Sequence, residues 1–196
     1  MDFQSVSDLA PKEYRTMILT INTSGKDLEF ALDGKHKNVA VEKQSIALPV
    51  ECEKFIGECG ATWRDIDAIG VIVGPGSFTG VRLGIAYAKG LGMGLNIPVI
   101  GINAFELYLA ATPDAFVAID SGRGDFFVAS PLTVPQTMTI DELETRQMEC
   151  PRTVGHKPFD ITLAADIVRK KIAGGDNAPA VPMYLRPSYV ETNKKC

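Results

Sequence analysis

Val73–Asn96 reads VGPGSFTGVRLGIAYAKGLGMGLN, and this stretch decides the fold. A β-rich run, Ile66–Val73, enters the glycine turn Gly74-Pro75-Gly76, and helical spacing then predicts a helix over Phe78–Leu95. Ser77 or Thr79 can cap that helix, because a short hydroxyl side chain accepts a hydrogen bond from its free first-turn N–H groups. The same N–H groups carry partial positive charge, so a strand–turn–helix of this kind offers an anion site. Gly76, Ser77 and Thr79 are its candidate nucleotide or anion contacts, with Thr23 and Ser24 at the end of an earlier strand. A tight turn with nothing bound explains the pattern equally well. No Lys-Ser or Lys-Thr follows the glycines, so this is not a Walker A loop, nor is it a GxGxxG dinucleotide turn with a ribose-binding acid.

Within the helix, Gly80, Gly84, Ala88 and Gly92 recur every fourth residue, and Gly90 and Gly94 add further small positions. An internal glycine costs a helix about 1 kcal/mol relative to alanine, so several of them need a compensating gain. A ridge without side chains lets another backbone approach closely. That backbone belongs either to the chain's own sheet or to a helix of another subunit, and different faces can serve each. We expect Gly80, Gly84, Ala88 and Gly92, together with Ile46, Val50 and Lys54 of the preceding helix, to form a partner interface.

Outward from this segment, Met17–Thr23, Asp27–Leu32 and Asn38–Lys43 read as three strands, with Asp33-Gly34 as the turn between the second and third. Ser45–Cys59 reads as a helix whose stripe is Leu48, Cys52, Phe55, Ile56 and Cys59, with Pro49 in its early turns and Gly60 as its stop. Pro98–Ile102 is a buried strand and Ala104–Ala111 a short helix. The order is βββαβαβα, which implies an antiparallel meander joined to a parallel portion. The pattern restarts near Ala111–Asp114. Ala115–Asp120 and Asp125–Ser130 flank Ser121-Gly122-Arg123-Gly124 as a hairpin, Ile140–Met148 and Ile161–Ala173 are helix candidates, and the proline-rich run Pro179–Pro187 reads as extended. The expected division is a peripheral arm at 1–16, a first lobe at 17–112 and a shortened second lobe at 113–196. The arm is expected to be dispensable.

The formal net charge of -4 argues against a nucleic-acid binder acting alone, since phosphate contacts need clustered cations. The one basic cluster, Arg169, Lys170 and Lys171, reads as a solvated helix face. Cys52, Cys59, Cys150 and Cys196 have no zinc-ligand spacing, and His36 and His156 stand far from them. Buried thiols and a reducing compartment are expected. The chain contains no apolar run of about 18 residues and no apolar leader, so a cytoplasmic protein without membrane contact is expected.

Four segments carry a family resemblance: ILTINTS at 18–24, GPGSFTGVRLGIAYAKGLGMGLNIPVIGI at 74–102, AIDSGRG at 118–124 and YLRPSYV at 184–190. In them the chain resembles the TsaB (YeaZ) family, formerly described as glycoprotease-like (M22). Members are companions of the TsaD/Kae1 enzyme, which makes threonylcarbamoyladenosine (t6A) in tRNA. The resemblance implies an α/β, actin-like/Hsp70-like/sugar-kinase (ASKHA, ribonuclease H-like) fold of two lobes. It implies a non-catalytic subunit that forms a heterodimer with TsaD, assembles with TsaE, forms a homodimer when alone, and meets tRNA only through the complex. No cofactor is expected on this chain by itself, with ADP or ATP confined to the complex interface.

Departures sharpen that reading. Asn22 stands where the family usually has an aspartate before Thr-Ser, and Lys43 stands near a position often held by histidine. The His-x-x-x-His metal pair of TsaD falls on Ala104 and Tyr108, and neither replaces an imidazole. No His-Glu-x-x-His and no Ser/His/Asp set supports proteolysis, so no catalytic or metal residue is assigned. Asp120 and Asp125 can hold a metal or simply cap the hairpin, and Arg123 can meet phosphate or solvent. The alternative function is a small-molecule phosphotransferase or ATPase using Thr23, Ser24 and the GPGSFTG loop.

Overall fold

The computed structural model describes residues 16–149, 152–155, 157–176 and 178–185. The expected arm, apart from Thr16, lies outside them, as do His156, Cys150 and Cys196.

The first sheet runs β3-β2-β1-β4-β5. Its strands are β1 (Ile18–Asn22), β2 (Leu28–Leu32), β3 (Lys35–Val39), β4 (Ala68–Ile72) and β5 (Val99–Ile102). β1–β2 and β2–β3 pair antiparallel, while β1–β4 and β4–β5 pair parallel. β1 and β4 are buried along their whole length, which is why they read as continuous apolar runs. β3 begins three residues earlier than expected. Asp33 (φ 50°) and Gly34 (φ 78°) form a two-residue turn, so Leu32 pairs directly with Lys35. Its residues Lys35, His36, Lys37 and Asn38 are those of a solvated edge, which hid the strand.

Helices α1 (Gln44–Glu58) and α2 (Phe78–Leu95) cover one face of this sheet. Leu48, Cys52, Phe55 and Ile56 of α1 and Val81, Ile85 and Ala88 of α2 share a core with Leu19, Ile21, Phe30, Ile69 and Val71. Gly60, at φ 77°, takes the chain out of α1 in a conformation that a side chain disfavours. α3 (Ala104–Ala111) and α5 (Ala164–Ala173) occupy the opposite side, where Leu107, Ala164 and Val168 pack on Ile18, Ala68, Ile72, Ile100 and Ile102. The chain therefore returns to the first sheet near its end, and residues 178–185 follow it. Pro179 bridges to Ile100, and the Met183 N–H donates to the Val73 carbonyl at 2.8 Å.

The second sheet runs β8-β7-β6-β9, with β6 (Phe116–Asp120), β7 (Asp125–Ser130), β8 (Thr133–Thr139) and β9 (Thr153–Val154). It repeats the first: an antiparallel meander, then a strand parallel to its opener. That repeat is visible in topology although the two halves do not align as sequence. The expected hairpin around 121–124 is β6–β7. β8 was not foreseen because Pro135 interrupts it. A proline lacks the ladder N–H, and here it sits on the edge strand, next to the irregular register at Val128/Ser130. α4 (Ile140–Glu149) buries Leu143 beside Phe116, Ala118 and Val128. α3 joins the halves, because Phe105 packs with Val117 and Ala129 of the second sheet.

Candidate functional site

The parallel strands of the first sheet end facing β6, and a cleft of about 360 Å³ opens there. Asn22, Ser24, Gly76, Ala104, Tyr108 and Asp120 are among the residues lining it. Crossover topology explains the position, because β1, β4 and β5 all release their loops on this side.

At its floor, Asn22 is fully engaged. Its side-chain oxygen accepts the Ser24 N–H at 2.9 Å and the Ser24 hydroxyl at 2.7 Å, and its amide donates to Glu29 Oε2 at 2.6 Å. Glu29 is the cross-strand partner of Asn22, and its other oxygen accepts from Asn38 at 3.3 Å. The asparagine that departs from the family pattern is therefore the residue that this neighbour requires.

Of the candidate anion contacts, Ser24 and Gly76 reach the cleft, whereas Thr23, Ser77 and Thr79 do not line it. Thr23 is fully buried and its hydroxyl donates to the Gly80 carbonyl at 2.7 Å. The Ser77 hydroxyl accepts from the Gly80 N–H at 3.2 Å, which makes it the helix cap. Glu29, Asp27 and Asp120 place carboxylates on the cleft, with Lys26 as the one lysine among its lining residues. A polyphosphate would meet that field unfavourably.

The residues present do not fit the metal of the TsaD enzymes. Ala104 offers a methyl group. The Tyr108 hydroxyl donates to the Lys157 carbonyl at 2.6 Å, and its ring stands edge-on to Phe159 at 5.7 Å. Burial, and then the negative charge of Glu29, push the Tyr108 phenol above its ordinary range, so a phenolate ligand is disfavoured. Among the described residues no three His, Cys, Asp or Glu side chains converge. Asp120 caps its own turn by accepting the Gly122 N–H at 2.7 Å, and Ser121 bonds Asp125 across the same turn.

The glycine ridge of α2 faces inward. Gly80, Gly84, Ala88 and Gly92 are all buried. A Cβ at Gly80 would collide with the Thr23 carbonyl oxygen, one at Gly84 with the Thr23 hydroxyl, and one at Gly92 with Val99. The expectation that these four meet a partner is thus corrected: they let α2 lie against the chain's own β1 and β5. The outer face of α2 instead presents Arg82, Ala86, Lys89, Gly90 and Met93, all exposed. A Cβ at Gly90 or Gly94 would stand in open space. On α1, Ile46 (69% exposed), Val50 (64%) and Lys54 do point outward.

Sequence comparison agrees with this architecture. A family model described as "TsaD: tRNA N6-adenosine threonylcarbamoyltransferase" matches residues 18–147. The chain belongs to the TsaD family. A TsaD-family relative from Clostridium kluyveri (strain ATCC 8527 / DSM 555 / NBRC 12016 / NCIMB 10680 / K1), named tRNA N6-adenosine threonylcarbamoyltransferase, is 36% identical over 97 residues, 50% of this chain and 28% of that one. Another of that name, from Geobacter sp. (strain M21), is 27% identical over 184 residues, 89% of this chain and 53% of that one. The chain thus spans between about a quarter and about half of these relatives. Among solved structures, an uncharacterized Pseudomonas aeruginosa protein with similarity to peptidase YEAZ superposes with a TM-score of 0.70 at 19% identity, covering 87% of this chain and 100% of that one. YeaZ from Pseudomonas aeruginosa gives 0.69 at 17% identity, with the same coverages. These likenesses show the fold, which is the actin-like, ribonuclease H-like α/β architecture expected from the sequence. No described helix is long and apolar enough to cross a membrane.

Proposed function

We propose that this chain is a cytoplasmic, non-catalytic TsaB-type subunit that binds and activates a TsaD enzyme for threonylcarbamoylation of tRNA. The observation that carries the reading is the cleft: where TsaD would hold its metal, Ala104 and Tyr108 stand, and the Tyr108 hydroxyl is given to the Lys157 carbonyl. The coverage of a YeaZ-like protein over its whole length supports it. The partner-facing side is the outer surface of α1 and α2, with Ile46, Val50 and Lys54 retained from the sequence reading and Arg82, Ala86, Lys89 and Met93 replacing the buried ridge. The chain forms a homodimer when TsaD is absent. TsaE joins the complex, tRNA is met only through it, and ADP or ATP enters only at the complex interface.

The test is a tRNA modification assay with the TsaD and TsaE proteins of the same organism, with and without this chain. Modification should require the chain, which by itself should neither hydrolyse ATP nor cleave glycoproteins. Elemental analysis should find no stoichiometric metal. Phosphotransfer or ATP hydrolysis by the purified chain, or one iron or zinc per chain, would overturn the proposal.

A further inference from the structure

Arg82 is held in place, and among the described residues its tip is left unpaired. Its guanidinium carbon lies 3.7 Å from the centre of the Phe78 ring and 5.6 Å from that of Tyr184, and its Nε donates to the Tyr184 hydroxyl at 2.8 Å. The two rings stand 5.4 Å apart, so the guanidinium packs on Phe78 while Tyr184 holds its Nε from an adjacent direction. Stacking on aromatic faces orients a guanidinium without neutralising it. Among the described residues, neither terminal nitrogen has a hydrogen-bond or ion-pair partner. An exposed arginine fixed in this way has already lost much of its side-chain freedom, so a planar, bidentate acceptor costs little further entropy.

Position on α2 shows what kind of acceptor. Arg82, Ala86, Lys89 and Met93 follow at spacings of four, three and four, which places them in one stripe along the helix. Met93 is 85% exposed, and Lys89 and Met93 border a shallow depression completed by Asn96, Ile97 and Pro98. The stripe thus alternates cation, small residue, cation and apolar residue. α2 contains no aspartate or glutamate at all, although the chain as a whole carries a net charge of -4. Positive charge is concentrated on this helix without internal compensation.

We propose that the outer face of α2 takes a helix of a different protein that carries two carboxylates about two turns apart. Arg82 receives one in a bidentate pair, and Lys89, about 10.5 Å further along the axis, receives the other. This rests on the reading of α1 and α2 as the partner-facing side and specifies the partner's chemistry. A second copy of α2 is the poorer fit, since neither helix would bring an acid and both would bring two cations to the contact. Self-association through α2 is then weak, and a hetero-partner displaces it.

The experiment measures binding of the full chain to the TsaD protein of the same organism, beside its own self-association by analytical ultracentrifugation. Arg82→Glu with Lys89→Glu should weaken the hetero-complex by about 30-fold or more. Circular dichroism should be unchanged, because both side chains are exposed. The double reversal should not weaken self-association. Affinity of the unaltered pair should fall with added salt, and that of the reversed variant should not. Tyr184→Phe, which removes the Nε partner, should give a smaller loss on the order of 3-fold. Replacing the two partner carboxylates by lysine should restore binding to the reversed variant alone. Hetero-binding unchanged by the reversal would overturn this inference while leaving the subunit reading intact. A self-association lost with the hetero-complex would show that α2 serves copies of this chain, and would also overturn it. Failure of the unaltered chain to bind TsaD would overturn both.

Discussion

The Asn22 amide donates to Glu29 Oε2 at 2.6 Å across the β1–β2 pair, and Asn22 Oδ1 holds the Ser24 turn at the same time. One residue thereby satisfies a buried turn and a carboxylate on opposite sides of a side-chain amide. An aspartate there would keep the turn and set two negative oxygens against each other.

Asn22→Asp should therefore lower stability at neutral pH by about 1–3 kcal/mol, by turning a donor–acceptor contact into a repulsive one. The repulsion raises the carboxyl pKa of the new pair in the folded state. The penalty is then full where both groups are ionised and shrinks as pH falls toward about 4. Denaturant titrations at pH 7 and pH 4 should show this difference, and Glu29→Gln should remove it.

Gly84→Leu should unfold the chain or cost on the order of 1–3 kcal/mol or more, since a side chain there enters Thr23 and overpacks a filled core. Gly90→Leu, with open space at its Cβ, should instead raise the melting temperature by about 2–4 °C, because it removes the cost of an exposed glycine inside a helix. Equal melting temperatures for the two variants would show that the inward ridge is not packed as described.

The Cys52 thiol is hydrogen-bonded to Tyr87 between α1 and α2, and burial pushes it up from 9.0 to about 12. Unfolding releases its proton more readily above pH 9. The contribution of this group is thus fully present below pH 9 and is lost as pH rises towards 12, at up to about 1.4 kcal/mol per pH unit. A shallower alkaline loss in Cys52→Ala would assign the slope to this thiol. Alkylation of Cys52 at pH 8 should wait on unfolding.

Lys171 of α5 donates to the Gly101 carbonyl at 2.8 Å and lies 2.7 Å from a Glu106 oxygen, while Glu106 also accepts the Asn103 N–H at the start of α3. Lys171→Met should cost about 1–2 kcal/mol, because a half-buried charge-assisted contact is lost and Glu106 keeps its capping role. Thermal melts should fall by about 2–4 °C per kcal/mol. The neighbouring Lys170→Met should have no measurable effect.

The strand–turn–helix at 66–95, the helices at 44–58 and 104–111, and the hairpin at 116–130 were legible because each follows from local periodicity and turn chemistry. Helix spacing and the Asp33-Gly34 and Gly60 stops need no distant contact. β3 and β8 were obscured because edge strands are solvated on one side, and their polar residues and Pro135 resemble loop. The sequence also established that α2 must have one face of unusually close approach, since four small residues at every fourth position have no other physical return for their helix cost. It did not say what approaches. Only tertiary structure, by placing Thr23 and Val99 under that ridge, turned the face inward and left Arg82, Ala86, Lys89 and Met93 outside. Likewise, Asn22 read as the loss of an acid until the β1–β2 register set Glu29 opposite it. Both outcomes depend on contacts between residues distant in the chain or in adjoining strands, and composition and spacing carry no record of those.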